Sequence, residues 1–222
     1  MIQFDNVTKT FRTPGGRKTI FRNANVTFPT GRSVGLLGRN GAGKTTLMSM
    51  IGGSIRPDSG IIHKTGTVSW TVGFAGSFNR LMTGAQNTKF VARIYGVDTD
   101  ELVDFVQDFA ELGPHFHAPV QSYSSGMRSR LAFGISIGIP FDTYLVDEVT
   151  SVGDAAFKRK SRAAFMDRMT TAGAIVVTHS MTQIKRLCDA GVVLEDGQLT
   201  YFDNIDDAIA QHHINMGSTE DE

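Results

Sequence analysis

The chain has one cysteine, Cys188. No intrachain disulfide can form, and the simple inference is a reducing compartment. Cys188 itself reads as a small apolar residue of a helix, not a reactive thiol. Excess charge is missing too: 22 Lys plus Arg stand against 22 Asp plus Glu. A chain without net charge lacks the electrostatic footprint of a general nucleic-acid binder. Its densest basic run, Lys158, Arg159, Lys160 and Arg162, reads as a solvated helix face. No stretch reaches the roughly 18 consecutive apolar residues that span a bilayer. The start, Met1-Ile2-Gln3-Phe4-Asp5, has no basic region followed by an apolar stretch, so it is not read as a signal peptide. The expectation is a cytoplasmic protein that meets a membrane only through a partner. Internal repeats and low-complexity segments are absent, and no linker divides the 222 residues, which fits one large domain.

The apolar residues alternate between two periods. Ile2, Phe4 and Val7 predict a strand, Pro14-Gly15-Gly16 a turn, and Phe21 to Phe28 a second strand. Ser33 to Leu37, Thr143 to Val146, Ala174 to Val177 and Gly191 to Glu195 are short continuous runs, as buried parallel strands should be. Helical spacing takes over from about Phe78 to Gly113, where Phe90, Val91, Ile94 and Tyr95 recur at i, i+3, i+4, followed by Leu102, Val103, Phe105, Val106 and Phe109. Ser124 opens a further helix with Met127, Leu131, Ile135 and Ile139 on one stripe. Strands alternating with helices imply an α/β fold around a mostly parallel sheet. The end, Gly217 to Glu222, is expected to be disordered.

Gly38-Arg39-Asn40-Gly41-Ala42-Gly43-Lys44-Thr45 matches G-x-x-x-x-G-K-[ST] between a predicted strand and a predicted helix. Glycines allow backbone N–H groups to turn toward phosphate, and the helix adds its positive end. Lys44 supplies a cation for the β- and γ-phosphates and Thr45 a hydroxyl for Mg²⁺. A second strand, Thr143-Tyr144-Leu145-Val146, ends in Asp147-Glu148. Asp147 there is a candidate Mg²⁺ ligand, and Glu148 a candidate base for the attacking water. Strands often end in acids, so this pair gains weight only beside the glycine loop. Of the histidines, His115 and His117 flank Phe116 near Pro114 and read as a surface loop rather than a metal site.

Four further segments fall in the order of the ABC ATPase superfamily. Tyr123-Ser124-Ser125-Gly126-Met127-Arg128 resembles the signature usually written L-S-G-G-Q. Thr150-Ser151-Val152-Gly153-Asp154 resembles the D-loop, and Val176-Val177-Thr178-His179-Ser180 the switch-histidine strand. Phe11 stands where the family sets an aromatic ring against adenine. The resemblance covers nearly the whole chain. It implies a P-loop NTPase of the ABC ATPase type, with an N-terminal antiparallel β subdomain and a helical insert at about 78–139. Residues 1–222 would then be one nucleotide-binding domain, with a tail at 212–222. ATP and Mg²⁺ are the implied ligands. Gly38, Asn40, Gly41, Ala42, Gly43, Lys44, Thr45 and Thr46 would hold the phosphates, and Glu148 and His179 would serve the water and γ-phosphate. Ser124, Ser125 and Gly126 would meet the γ-phosphate held by a second copy, closing an ATP-sandwich homodimer. Ser124 suits that role physically, because a serine N-cap before an amphipathic helix sets a hydroxyl beside the positive helix end.

The pattern also departs from the family. The loop Gly73-Phe74-Ala75-Gly76-Ser77-Phe78-Asn79 has no glutamine, so water or Ser77 must replace that Mg²⁺ ligand. Val149 stands where proline is common, and Ser125 and Met127 replace glycine and glutamine of the signature. With Leu81-Met82-Thr83-Gly84-Ala85-Gln86-Asn87, these strings resemble the capsular polysaccharide export ATPases of Gram-negative bacteria. That resemblance implies a subunit peripheral to the cytoplasmic side of the inner membrane. It would be joined to a pair of permease subunits through the helical insert, and would touch polysaccharide only through them and nucleic acid not at all. Export of O-antigen or teichoic acid is the alternative within the class; those ATPases often add a C-terminal glycan-reading domain. A soluble ABC ATPase of repair or translation is the alternative outside it, but sustained heptads and a second cassette are both missing.

Overall fold

A computed structural model of the chain describes residues 1–73, 76, 78–147 and 154–217. Two compact units are present: Met1–Ser69 with Asp142–Glu148 and Thr171–Glu222, and Trp70–Phe141 with Val149–Thr170.

The first unit begins with strands β1 (Ile2–Thr13) and β2 (Gly16–Phe28), an antiparallel hairpin turning at Pro14-Gly15; with β4 (Ser59–Lys64) they make a sheet in the order β2-β1-β4. Ile2, Phe4 and Val7 are all buried, although strict alternation would put Val7 on the opposite face from Phe4. A shift of register between them explains this. Asn6 and Asn23 both take left-handed backbone at φ 49, which asparagine tolerates better than most residues. The disturbed ladder is repaired by side chains: Asn6 N–H donates to Asn25 Oδ1 (2.9 Å) and Asn23 N–H to Thr8 Oγ1 (3.0 Å).

The larger sheet has the order β5-β6-β7-β3-β8-β9, built from β3 (Ser33–Gly38), β5 (Val68–Thr71), β6 (Thr143–Asp147), β7 (Gly173–Val177), β8 (Ala190–Glu195) and β9 (Gln198–Phe202). Pairs β6–β7, β7–β3 and β3–β8 are parallel, and β8–β9 is an antiparallel hairpin. Central strands are buried nearly throughout, as their unbroken apolar runs predict. Helices α1 (Lys44–Ile51), α6 (Met181–Leu187) and α7 (Ile205–Met216) belong to the same unit. One cluster of buried residues, including Phe4, Phe21, Phe28, Leu36, Leu47 and Met50, joins both sheets to α1. Each large side chain so buried contributes on the order of 1.5–3 kcal/mol. Helix α7 extends through Met216 with His212 buried, so residues 212–216, expected as part of a tail, are structured. Buried Cys188 closes α6, and burial together with Asp189 pushes its thiol up to about 12, which fits the inert reading.

The second unit carries α2 (Gly84–Tyr95), α3 (Thr99–Ala110), α4 (Ser125–Gly138) and α5 (Ala155–Arg168). Thr83 and Gln86 form a reciprocal capping box on α2, and Gly96, left-handed at φ 68, ends it. Leu102, Val106 and Phe109 of α3 are buried, and the bare flank of α4 at Gly134 lies within contact distance of Val106 and Phe109. The predicted helices are present, but α2 turns its large residues outward. Phe90, Ile94 and Tyr95 are 56%, 60% and 41% exposed, while Gly84, Ala85, Thr88 and Ala92 form the buried side. Small residues let the helix lie close to its neighbours; at Gly84 an added Cβ would stand 3.0 Å from the Phe116 carbonyl. Among the described residues no helix is long and apolar enough to cross a membrane.

In the first unit, α7 is seated on a strip of the sheet without side chains. Gly35 and Gly191 are paired in register. A Cβ at Gly35 would lie 3.0 Å from Ile205 Cδ1, and one at Gly191 would collide with Ala208 Cβ. Overpacking of this kind costs about 1–3 kcal/mol. Gly191→Val is therefore expected to lower the free energy of unfolding by that amount, read as a lower midpoint of chemical denaturation at unchanged slope. A midpoint equal to that of the unaltered protein would show that α7 is not held at this strip.

Candidate nucleotide site

Strand β3 ends at Gly38, the chain turns through residues 39–43, and α1 starts at Lys44. Gly38, Gly41 and Gly43 have φ of 157, 76 and 118, backbone that side chains rarely permit. Gly43 is also required by space, because a Cβ there would strike Ile20 Cγ2 of β2. The turn is closed by Ala42 N–H to the Arg39 carbonyl (3.1 Å), and α1 by Leu47 N–H to the Gly43 carbonyl (2.9 Å). No side chain caps α1 and no acid lies in its first turn. Its leading N–H groups thus keep their donor capacity and a positive end for an anion.

Lys44 Nζ donates to the carbonyls of Gly38 (2.5 Å) and Arg39 (3.0 Å). Partial burial holds its ammonium below the usual lysine range, with Asp147 acting in the opposite direction. That coupling follows from topology. Asp147 ends β6 in register with Val177 of β7, and β7 pairs with β3. The carboxyl ends of β6, β7 and β3 therefore lie side by side, which is where open parallel sheets bind ligands. His179 is exposed two residues beyond Val177. Its bend is shaped by Thr178 Oγ1, which accepts from Ser180 N–H (3.2 Å) and donates to Gln183 Oε1 (3.2 Å). Thr45 is exposed and Thr46 half-buried. Glu148, Ser77 and residues 150–153 lie outside the described residues.

A cleft of ≈ 410 Å³ opens beside the loop, lined by Lys18, Ile20, residues 39–42 and Glu195 among others. Phe11 pairs directly with Lys18 across the β1–β2 ladder, and opposed residues project on the same face. The half-buried Phe11 ring carries the Lys9 ammonium 5.3 Å from its centroid. The loop is also held from the other side. Arg39 bonds the Asn215 carbonyl at the end of α7, and its Nε lies 3.4 Å from Glu195 Oε1. Buried His212 of α7 sits behind it. Desolvation holds that imidazole below its usual range, reinforced by the charges of His213, Lys44 and Arg39 and opposed by Glu195. Sequence reasoning missed Lys18, Glu195 and His212. Arg39 was visible inside the motif, but nothing in the sequence pairs it with residues over 150 positions away.

In the second unit, Ser124 caps α4, accepting from Met127 N–H at 3.2 Å. Ser124 and Ser125 are exposed, Gly126 is half-buried, and the first turn of α4 has no acid. Just before the cap, buried Tyr123 donates to the His115 carbonyl (2.6 Å), and Arg128 Nη1 to the Tyr123 carbonyl (2.5 Å). The chain is thus fixed below the serine while the serine face stays open.

The chain is similar to known proteins over most of its length. A family model described as ABC transporter matches residues 21–151. The polysialic acid transport ATP-binding protein KpsT of Escherichia coli is 47% identical over 96% of this chain and 97% of its own length. The capsule polysaccharide export ATP-binding protein CtrD of Neisseria meningitidis is 40% identical over 94% and 96%. An ATP-binding cassette solved as a dimer in a post-hydrolysis state with ADP and Pi superposes with TM-score 0.74 over 90% of this chain and 96% of that one. At 20% identity it shows likeness of fold.

The site makes Lys44 testable. Lys44→Ala removes the cation and leaves the Gly38 and Arg39 carbonyls without their donor. A charged hydrogen bond is worth about 1.5–3 kcal/mol. Affinity for a fluorescent ATP analogue is therefore expected to fall by about ten- to a hundredfold, with the melting temperature within a few degrees. Unchanged affinity would remove Lys44 from the phosphate site.

Proposed function

This chain belongs to the ABC transporter family as an ATP-hydrolysing subunit, and we propose that it drives export of a capsular polysaccharide across the bacterial inner membrane. Likeness to KpsT and CtrD along nearly the full length of both partners carries the choice of cargo. The glycine loop beside the Asp147 strand end supports the chemistry.

Two copies would close head to tail. The loop of one copy would hold ATP by the N–H groups at the start of α1, by Lys44 and by the Phe11 ring against adenine. Ser124, Ser125 and Gly126 of the other copy would meet the γ-phosphate, where the capped, acid-free start of α4 offers a donor hydroxyl and a positive helix end. Thr45 and Asp147 would hold Mg²⁺. Both are hard oxygen donors, and Asp147 is close enough to Lys44 to perturb it. Few protein ligands suffice, since Mg²⁺ is usually bound by one or two carboxylates plus substrate phosphates and water. Mg²⁺ held by these residues would supply neutralisation of the phosphate charge. Glu148 would orient and deprotonate the attacking water, and His179 would hydrogen-bond the γ-phosphate. Water or Ser77 would stand in for the missing glutamine.

The membrane partner would be a permease pair, placing the subunit on the cytoplasmic face. The candidate contact is the outward stripe of the second unit, where Leu81 is 75%, Ile94 60% and Phe90 56% exposed. The loop bearing Leu81 is firm: Asn87, only 3% exposed, accepts from Asn79 N–H (3.0 Å) and donates to the carbonyls of Asn79 (3.1 Å) and Thr83 (2.9 Å). A firm apolar knuckle suits a short amphipathic helix of the permease.

Two experiments test the reading. In a capsulated strain lacking its own export ATPase, the wild-type chain is expected to restore surface polysaccharide, and Glu148→Gln to restore none. The purified Gln variant should bind ATP yet hydrolyse it about a hundredfold more slowly or worse. Near-normal turnover would strike Glu148 from the role of base, and wild-type failure beside a compatible permease would strike the cargo. Separately, Leu81→Asp should leave melting and nucleotide binding unchanged and abolish surface polysaccharide. Normal export from that variant would show that the permease docks elsewhere.

A further inference from the structure

Arg39 is the first residue of the glycine loop beyond β3, and it is tied at both its backbone and its side chain. Its carbonyl takes two donors, Lys44 Nζ at 3.0 Å and Ala42 N–H at 3.1 Å. Its guanidinium is fastened to other elements. Nη2 donates to the Asn215 carbonyl in the last turn of α7, and Nε lies 3.4 Å from Glu195 Oε1 at the end of β8. The register of the sheet brings these groups together. Gly38 pairs with Leu194 across the parallel β3–β8 ladder, so Arg39 and Glu195 are the next residues along adjacent chains. The approach is close there, since a Cβ on Gly38 would stand 2.7 Å from the Leu194 carbonyl.

Helix α7 makes a firm anchor. It is seated on the glycine strip of the sheet, Gln211 Nε2 donates to Asn215 Oδ1 (2.8 Å) across its last turn, and left-handed Gly217 ends it. The Asn215 carbonyl belongs to the last four of the helix, which lack intrahelical donors, and a cation suits that negative end. Little of this serves overall stability. The Arg39 side chain is 53% exposed and its pair with Glu195 is long, the setting in which an ion pair adds least. What matters is where the tie acts. It holds the peptide whose carbonyl both closes the loop turn and receives the Lys44 ammonium. Glu195 depends on the same tie: its Oε2 is buried without a hydrogen bond, and among the described residues its ion-pair partner is Arg39.

We propose that Arg39 is a positioning residue for nucleotide binding: tied to Glu195 and to the end of α7, it fixes the carbonyl that sets Lys44 for the phosphates. The role rests on the phosphate site proposed above. Arg39 acts through Lys44 and touches no phosphate in this scheme. Its loss would leave the fold intact and loosen the lysine before the ligand arrives, so binding suffers and the chemical step does not.

Arg39→Gln removes the charge, and Glu195→Gln removes its carboxylate partner while keeping the shape. Affinity for a fluorescent ATP analogue, KM and kcat for ATP hydrolysis, and melting temperature are measured for each. Arg39→Gln is expected to weaken affinity and raise KM about tenfold, with kcat at saturating ATP within about twofold and melting within a few degrees. Glu195→Gln should act in the same direction by about threefold, because the tie to α7 remains. Arg39→Lys should recover part of the loss, since it keeps the charge without the fork that reaches both partners. The double variant decides between an indirect and a direct role. In a Lys44→Ala background, Arg39→Gln should change affinity by less than about twofold, because the ammonium it positions is gone. Additive losses there would mean that Arg39 meets the phosphates itself, and would overturn the role. So would a fall in kcat at unchanged KM, or loss of melting temperature and affinity together with no rescue by lysine, which marks a fold defect. Wild-type or tighter binding by Arg39→Gln, beside weakened binding by Lys44→Ala, would sink this role alone. Wild-type binding by Lys44→Ala would remove the phosphate site, and this role with it.

Discussion

A phosphate-binding loop of this form is unfavourable until it meets its ligand, and the structure of the first unit follows from that. Among the described residues there are seven α-helices. Six start with a capping side chain: Thr83, Asp98, Ser124, Asp154, Ser180 and Asn204. Helix α1 starts at Gly43 without one. With glycine at the N-cap the missing side chain costs only a few tenths of a kcal/mol, and three left-handed glycines add conformational entropy lost on folding. The compensation comes from around the loop. Ile20 fills the space over Gly43, Lys44 ties back the Gly38 and Arg39 carbonyls, and Arg39 is fastened to Glu195 and the end of α7. The β hairpin and the C-terminal helix, remote in sequence, are thus part of what keeps an uncapped helix start in shape.

The same reasoning extends to the other helix ends. Helices α3 and α7 carry acids in the first turn, Asp100 with Glu101 and Asp206 with Asp207, which favour the positive end and occupy it. Helices α1 and α4 carry none, a property they share with α2, α5 and α6, so the absence leaves room for an anion without marking where one binds. An acid in the first turn of α1 or α4 would repel the phosphate proposed to lie there. The balanced overall charge hides this distribution, which becomes visible only when acids are placed on particular turns.

Much of this was legible in the sequence. The glycine loop, the acidic strand and the serine cap are local patterns whose chemistry depends on neighbours in the chain. The buried parallel strands were equally plain, because a strand covered on both faces has no polar position to blur its run. The face of α2 was not legible. Phe90 and Ile94 have helical spacing, and spacing alone does not say whether the large stripe or the small one is buried; the small residues Gly84, Ala85 and Ala92 won because they allow closer approach. The shift in β1 at Asn6 was hidden for a similar reason, since Ile2, Phe4 and Val7 look like an imperfect strand rather than a corrected one.

The long-range charge pairs were the least legible, and they share a physical logic. Arg39 with Glu195 joins the glycine loop to a strand end far along the chain, and Arg130 with Asp154 ties the body of α4 to the start of the next helix, α5. Neither follows from propensity or periodicity, because a charge at a half-buried position satisfies both whatever it is paired with. They stand beside the two surfaces proposed to close on ATP: Arg39 within the phosphate loop, Arg130 behind the serine cap. Apolar contacts tolerate small slips with little loss, whereas an ion pair at 2.6 Å, as between Arg130 and Asp154, is weakened by small displacement. Packing supplies the cohesion of each unit, and charge pairs such as these fix the angles between its elements.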